Sequence, residues 1–211
     1  MRLVIFGPQG AGKGTQSERI SEKYGIPGIA TGEIFRAALM GRTALGLKVA
    51  EFVDSGKLVP DELTIEVVSE RLHADDCKDG FLLDGFPRSL NQADALDAIL
   101  AKEGKALDAA LVIEVPEEVS LRRLLGRRAC EDCGKNYHLD NPPMVNWTCD
   151  RCGGKVVERA DDHEATIRKR LGLYHSQTEP LKAYYSDKGI LRTVDGLGTP
   201  DDVFERIASA I

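Results

Sequence analysis

Directly after the apolar run Leu3-Val4-Ile5-Phe6, residues Gly7 to Thr15 read Gly-Pro-Gln-Gly-Ala-Gly-Lys-Gly-Thr. Glycines let a backbone turn tightly and bring its N–H groups onto one anion. Lys13 adds a point charge. A helix starting near Lys13 adds its free N–H groups and the positive end of its dipole. A strand, such a loop and then a helix form the arrangement that cradles the phosphates of a nucleoside triphosphate. One position departs from the common pattern: Gly14 stands where Ser or Thr usually follows the lysine, and Thr15 comes next.

A second chemistry is written in the cysteines. Cys130-x2-Cys133 and Cys149-x2-Cys152 are separated by fifteen residues, a zinc-ribbon spacing, and glycine follows each pair at Gly134 and Gly153. In a reducing compartment disulfides are disfavoured, and four thiolates around tetrahedral Zn²⁺ are expected. Iron or cobalt also suits four thiolates. The set leaves no open coordination position, so the metal reads as structural. His138 is the competing ligand, and Cys77 reads as a part-buried thiol outside the cluster.

The arginines form the third group. Arg88 follows Asp84-Gly85-Phe86-Pro87 just past a strand, Arg123 and Arg127 are four apart and read as one helix face, and Arg159 and Arg170 flank the start of a later helix. Arg36 lies in a glycine-punctuated segment. Guanidiniums converging on one cleft are what two polyphosphates facing each other require.

The elements that must carry these groups alternate. The pattern predicts helices over Lys13–Tyr24 (stopped by Gly25 and Pro27), 60–73, 91–102, from Pro116 onward, 162–185 and from Thr199, with strands at 3–6, 81–83, 109–115 and 190–194. Thr31 reads as the N-cap of a helix to Met40, and Gly41 and Gly46 as brackets of another that ends at Ser55-Gly56. The short Gly28-Ile29-Ala30 carries no clear strand signal. Strands alternating with helices imply an α/β fold with a parallel sheet flanked by helices. Residues 30–59 and 127–160 break the alternation and read as insertions over the carboxyl ends of the strands. The chain thus divides into core 1–29, insertion 30–59, core 60–126, insertion 127–160 and core 161–211.

Length and composition fit one soluble globular unit: 211 residues, 42% hydrophobic, 29% charged, net charge -6. That charge argues against a nucleic-acid or anionic-membrane surface. Between Arg127 and Arg159 six Lys/Arg face five Asp/Glu, too balanced for a nucleic-acid ribbon. The apolar run at 3–6 is too short for a signal peptide, and nothing reaches the roughly 20 apolar residues of a membrane span. The chain reads as cytoplasmic.

The motifs together resemble the adenylate kinase family, in its long-lid form with a zinc-binding lid. The likeness covers essentially the whole chain and rests on the glycine loop with Gly14, Thr31-Gly32-Glu33, Asp84-Gly85-Phe86-Pro87-Arg88, Gln92, and Arg159, Asp161-Asp162 and Arg170. The resemblance implies a P-loop NTPase fold and the reaction ATP + AMP ⇌ 2 ADP with Mg²⁺. It makes 30–59 the AMP-binding domain and 127–160 the lid. By position, Gly10, Ala11, Gly12, Lys13, Gly14 and Thr15 would wrap the ATP phosphates, Arg123 would stack on the ATP base, and Asn136, Tyr137 and Gly198 would make lid and backbone contacts. Thr31, Arg36, Lys57, Leu58, Val59, Gly85, Phe86, Pro87, Arg88 and Gln92 would form the AMP site. Arg127 on the ATP side, and Arg159 and Arg170 on the AMP side, would neutralise the transferring group, and Asp84 would orient Mg²⁺-bound water. The family expectation is a monomer with ATP, AMP and ADP as its partners. Gln9 departs from the family's frequent proline. A kinase for CMP or UMP, or one using GTP as donor, is the nearest competing reading; Gln92 and Thr31 favour AMP.

Overall fold

The computed structural model describes residues 1–55, 57–159 and 161–211. The helix end expected at Gly56 and the insertion boundary at residue 160 lie outside the described residues. The central strand, β1 (Arg2–Phe6), pairs in parallel with β3 (Phe81–Asp84) on one side and β4 (Ala109–Glu114) on the other. The edges are β2 (Gly28–Ala30) and β8 (Leu191–Asp195), giving the order β2-β3-β1-β4-β8. Strand alternation sends Val4, Phe6 and Leu83 to one face, against α4 (Asp61–Leu72), α5 (Leu90–Lys102) and α8 (Leu181–Asp187). Leu3, Ile5 and Leu82 point to the other, against α1 (Lys13–Tyr24) and α9 (Pro200–Ala210). Burial on both faces explains why these strands are almost wholly apolar. Gly28-Ile29-Ala30, short and without a strand signal, is recruited to the sheet edge by pairing with β3.

The first insertion packs α2 (Thr31–Met40) on α3 (Ala44–Asp54), with Phe35, Val49 and Val59 buried between them. Two expectations are corrected here. Thr31 is not an N-cap: Ala30 holds that position and Thr31 is the first helical residue, its hydroxyl used elsewhere. Gly46 does not end a bracket but lies inside α3, where its bare Cα lets the helix meet the Ala38 carbonyl.

After α6 (Glu117–Leu125) the chain enters a small antiparallel sheet with β5 (Arg127–Cys130) between β6 (Asn136–His138) and β7 (Val156–Val157). Its core is only Cys130, Tyr137, Cys149 and Val156, with Cys133 and Trp147 packed against them. Arg123 and Arg127 therefore do not share a helix face. Gly126 caps α6 and Arg127 opens a strand. The long helix expected over 162–185, tolerating or bending at Pro180, is interrupted at Pro180 and also before it. It is three pieces, α7 (Glu164–Leu173), a π-helical turn at Tyr174–Thr178, and α8 after Pro180. Cys77 is buried, not part-buried, at 3% exposure.

Candidate active site

The loop between β1 and α1 turns through Gly10 (φ 79°) and Gly12 (φ 99°), left-handed conformations that side chains disfavour. A Cβ on Gly10 would stand 2.6 Å from the Ser120 carbonyl oxygen, so the loop meets α6 backbone to backbone. Gly10→Ala is expected to cost about 2 kcal/mol, or roughly 4–8 °C in melting temperature. An unchanged thermal denaturation curve would show that the loop does not hold this conformation.

The Lys13 ammonium donates to the carbonyl oxygens of Gly7 and Pro8, each at 2.8 Å. Burial draws its pKa down to about 8, against the pull of the nearby Asp84 carboxylate. Asp84, at the end of β3, is pushed above the usual carboxylate range by burial, with Lys13, Arg88 and Arg36 opposing the shift. Its Oδ2 lies 3.9 Å from where a Cβ on Gly14 would stand. The glycine that breaks the common loop pattern thus faces a half-buried carboxylate.

Beyond β3 the chain turns through Gly85, and the Phe86-Pro87 peptide bond is cis. The Arg88 Nε donates to the Gly85 carbonyl at 2.7 Å, and burial lowers the guanidinium's pKa. The Thr31 hydroxyl donates to the same carbonyl at 3.0 Å, tying the start of α2 to the end of β3. Thr31, Arg36, Lys57, Leu58, Val59, Gly85, Arg88, Gln92 and Arg170 line one cavity, together with Gln9, Asp161 and Tyr174. Phe86 is different: its ring is buried in the main core at 1% exposure. Arg36 falls to about 10, first by burial and then by the neighbouring Arg159 guanidinium. Such crowding of cations is relieved by an anion.

Three of the remaining arginines are held by two aspartates. Arg127 grips Asp162 with two hydrogen bonds at 2.7 and 2.6 Å. Arg159 grips Asp161 at 2.9 and 2.7 Å, and Arg170 reaches Asp161 at 2.6 Å. Burial alone would raise Asp161; the two arginines outweigh it and hold the carboxyl well below its usual range. Arg123 links the loop to the end of the sheet, donating to Gly196 at 3.0 Å and reaching the Gly10 and Ala11 carbonyls at 3.4 Å. Gly198 (φ 101°) lies just before the capping box of α9.

Asn136 is exposed on β6, whereas Tyr137 is buried. The Tyr137 hydroxyl reaches the Cys149 sulfur at 3.4 Å and accepts the Asp150 N–H at 2.8 Å, so its side chain serves the cysteine cluster. All four sulfurs lie within 4.8 Å of one another, and Cys130–Cys152 and Cys133–Cys149 are 3.5 and 3.6 Å apart. Tetrahedral ligands at about 2.3 Å from Zn²⁺ stand roughly 3.8 Å apart, so the cluster is compatible with a zinc site. Burial would raise the Cys149 thiol, but hydrogen bonds from Tyr137 and from backbone N–H groups outweigh it and favour the thiolate. His138 is not in the cluster; its Nδ1 accepts the Asp140 N–H at 3.0 Å.

Sequence reasoning passed over four contributors. Gln9 stands out in the sequence only as a departure from the family's frequent proline, yet it lines the cavity. Tyr174 and Thr178 were hidden by the assumption of one continuous helix. Asp61 carries no site signal in the sequence beyond its place in the helix over 60–73, but it binds three side chains near the cavity.

A parallel sheet with a phosphate loop after its central strand, facing an arginine-lined cavity, defines a P-loop NTPase-type α/β protein. The family model for adenylate kinase matches residues 5–190. Among curated proteins, the adenylate kinase of Carboxydothermus hydrogenoformans is 51% identical over 100% of this chain and 99% of its own length. Those of Clostridium acetobutylicum and Clostridium tetani are each 50% identical over 100% of this chain and 99% and 98% of their own. The chain belongs to the adenylate kinase family.

Proposed function

We propose that this chain catalyses reversible phosphoryl transfer from Mg-ATP to AMP, giving two ADP, in the exchange of adenine nucleotides. The observation that carries this is the meeting of two sites. The cavity with Arg36, Arg88 and Gln92 abuts the phosphate loop through Gln9 and through the electrostatic contact of Asp84 with Lys13 and Arg88.

Each group then has a role. Gly10 to Thr15 wrap the ATP phosphates with Lys13 on the β and γ groups, and Arg123 lays its guanidinium on the ATP base. Asn136, Gly198 and the Tyr137 backbone complete the ATP side. Thr31, the 57–59 segment and the Gly85–Arg88 turn enclose AMP, with Arg36 and Arg88 on its phosphate and Gln92 on its base. Arg127, Arg159 and Arg170 stabilise charge on the transferring group. The accepting oxygen is already ionised at neutral pH, so the residues need only position, neutralise and exclude water.

Adenylate kinases work on Mg-nucleotide, and the half-buried Asp84 facing the bare Gly14 suits a hydrated Mg²⁺. Mg²⁺ bound there would neutralise phosphate charge; Asp84 would hold its water. Residues 30–59 act as the AMP-binding domain and 127–160 as a lid, with 1–29, 60–126 and 161–211 as core. Support comes from two contacts across these parts: Arg151 to Glu18 at 3.3 Å and the Lys169 ammonium to the Ser55 carbonyl at 2.7 Å. The four cysteines hold a structural Zn²⁺ that stiffens the lid. No described helix is long and apolar enough to cross a membrane. The enzyme works in the cytoplasm as a monomer, since one chain supplies every group in the proposed site, and it takes no nucleic acid.

The test is ADP formation from Mg-ATP with AMP, CMP, UMP or GMP. AMP is expected to be strongly preferred; a preference for a pyrimidine acceptor overturns the assignment.

A further inference from the structure

Three side chains converge on the carboxylate of Asp61, the first residue of α4. Gln92 Nε2 donates at 2.6 Å, Ser89 Oγ at 2.7 Å and Asn91 Nδ2 at 3.1 Å. Gln92 is 2% exposed, and its Oε1 accepts the Arg88 backbone N–H at 2.7 Å. A carboxylate only accepts and a backbone N–H only donates. The amide therefore has one workable orientation, NH₂ toward Asp61 and carbonyl toward Arg88. Turning it over breaks both bonds, leaves buried groups unmatched and sets oxygen against carboxylate.

These bonds leave Gln92 one N–H and one lone pair, and Gln92 lines the cavity. A 6-aminopurine offers a donor at position 6 and an acceptor at N1. A 6-oxopurine offers the reverse, an acceptor at position 6 and a donor at N1. A glutamine free to turn over serves both edges; a locked one serves one.

We propose that Asp61 is a positioning residue: by locking the Gln92 amide, it makes the acceptor site select 6-aminopurine over 6-oxopurine nucleoside monophosphates. This rests on the reading above that Gln92 meets the acceptor base. An aspartate that merely joined α4 to α5 would, when replaced, weaken every acceptor alike.

The test compares wild type with Asp61→Asn, whose amide accepts or donates and so releases the lock. Steady-state kinetics are run with Mg-ATP and AMP, IMP or GMP. The ratio of kcat/KM for AMP over IMP is expected to fall about tenfold or more, through KM, with kcat for AMP little changed. An unchanged ratio with all KM values moving together overturns the proposal. Wild-type protein that does not phosphorylate AMP refutes the proposed function instead, and the lock is then read separately. In nucleotide-free wild type, ¹⁵N spectra assigned with Gln92→Glu should show Gln92 side-chain amide exchange about tenfold slower than in surface glutamines, the protection expected of a buried bonded group. Equal rates overturn the lock, and this readout also serves if Asp61→Asn does not fold.

Discussion

Lys13→Ala is expected to leave a folded protein whose kcat has fallen about a thousandfold, the scale of removing one preorganised charge from a dry site. The ammonium sits at the turn of the loop, bonded to two carbonyl oxygens of Gly7 and Pro8. No neighbouring cation replaces it, because Arg88 and Arg127 act on it from a distance as like charges. Losing its two loop bonds costs about 1 kcal/mol each, which at this chain length lowers the melting temperature by roughly 4–8 °C. Lys13→Arg is not expected to rescue activity, since a planar fork does not fit where a compact ammonium turns back onto two carbonyls. Turnover at saturating Mg-ATP and AMP, with a melting curve on the same sample, decides it. Near-normal turnover refutes the role given to the loop.

The second large effect is on stability. Stripping the metal, or making Cys130→Ser, is expected to lower the first thermal transition by about 10 °C, while kcat well below that transition changes little. The reason lies in how little else holds residues 127–159: four buried residues and two strands flanking β5. A core that small does not offset the entropy of ordering some thirty residues. Cys130 sits at the join of β5 and the cluster, so serine there removes a soft ligand and leaves a buried hydroxyl. Calorimetry of chelated and zinc-loaded protein is the measurement. Identical melts mean that the cysteines hold no structural metal.

Much of the fold was legible because local signals and tertiary demands agreed. β1, the loop and α1 fall where glycine spacing and apolar runs place them, and Thr199-Pro200-Asp201-Asp202 forms the capping box its types announce. The four cysteines cluster as their spacing requires. The misreadings share a cause. Four-residue spacing puts two arginines on one face only if the helix continues, and it stops at Gly126, which has no room for a side chain beside His138. Thr31 has the residue type of a cap, but its hydroxyl is claimed by a carbonyl more than fifty residues away in sequence. Gly46 marks a close helix crossing rather than a stop. In the candidate site, residue types were readable but their partners were not: nothing local in Gln92 says that Asp61 and Arg88 already hold its amide.

Arg127, Arg159 and Arg170 are held by Asp161 and Asp162, and Asp162 is 1% exposed. In the proposed site this arrangement would work as an ion exchanger. The carboxylates keep the guanidiniums together and neutralised, so an arriving phosphate would substitute for an anion rather than meet bare mutually repelling cations. Each charge-assisted bond gained would be set against one loosened. A catalyst that must release two ADP as readily as ATP and AMP would be served by such near-balance, which the two aspartates would set.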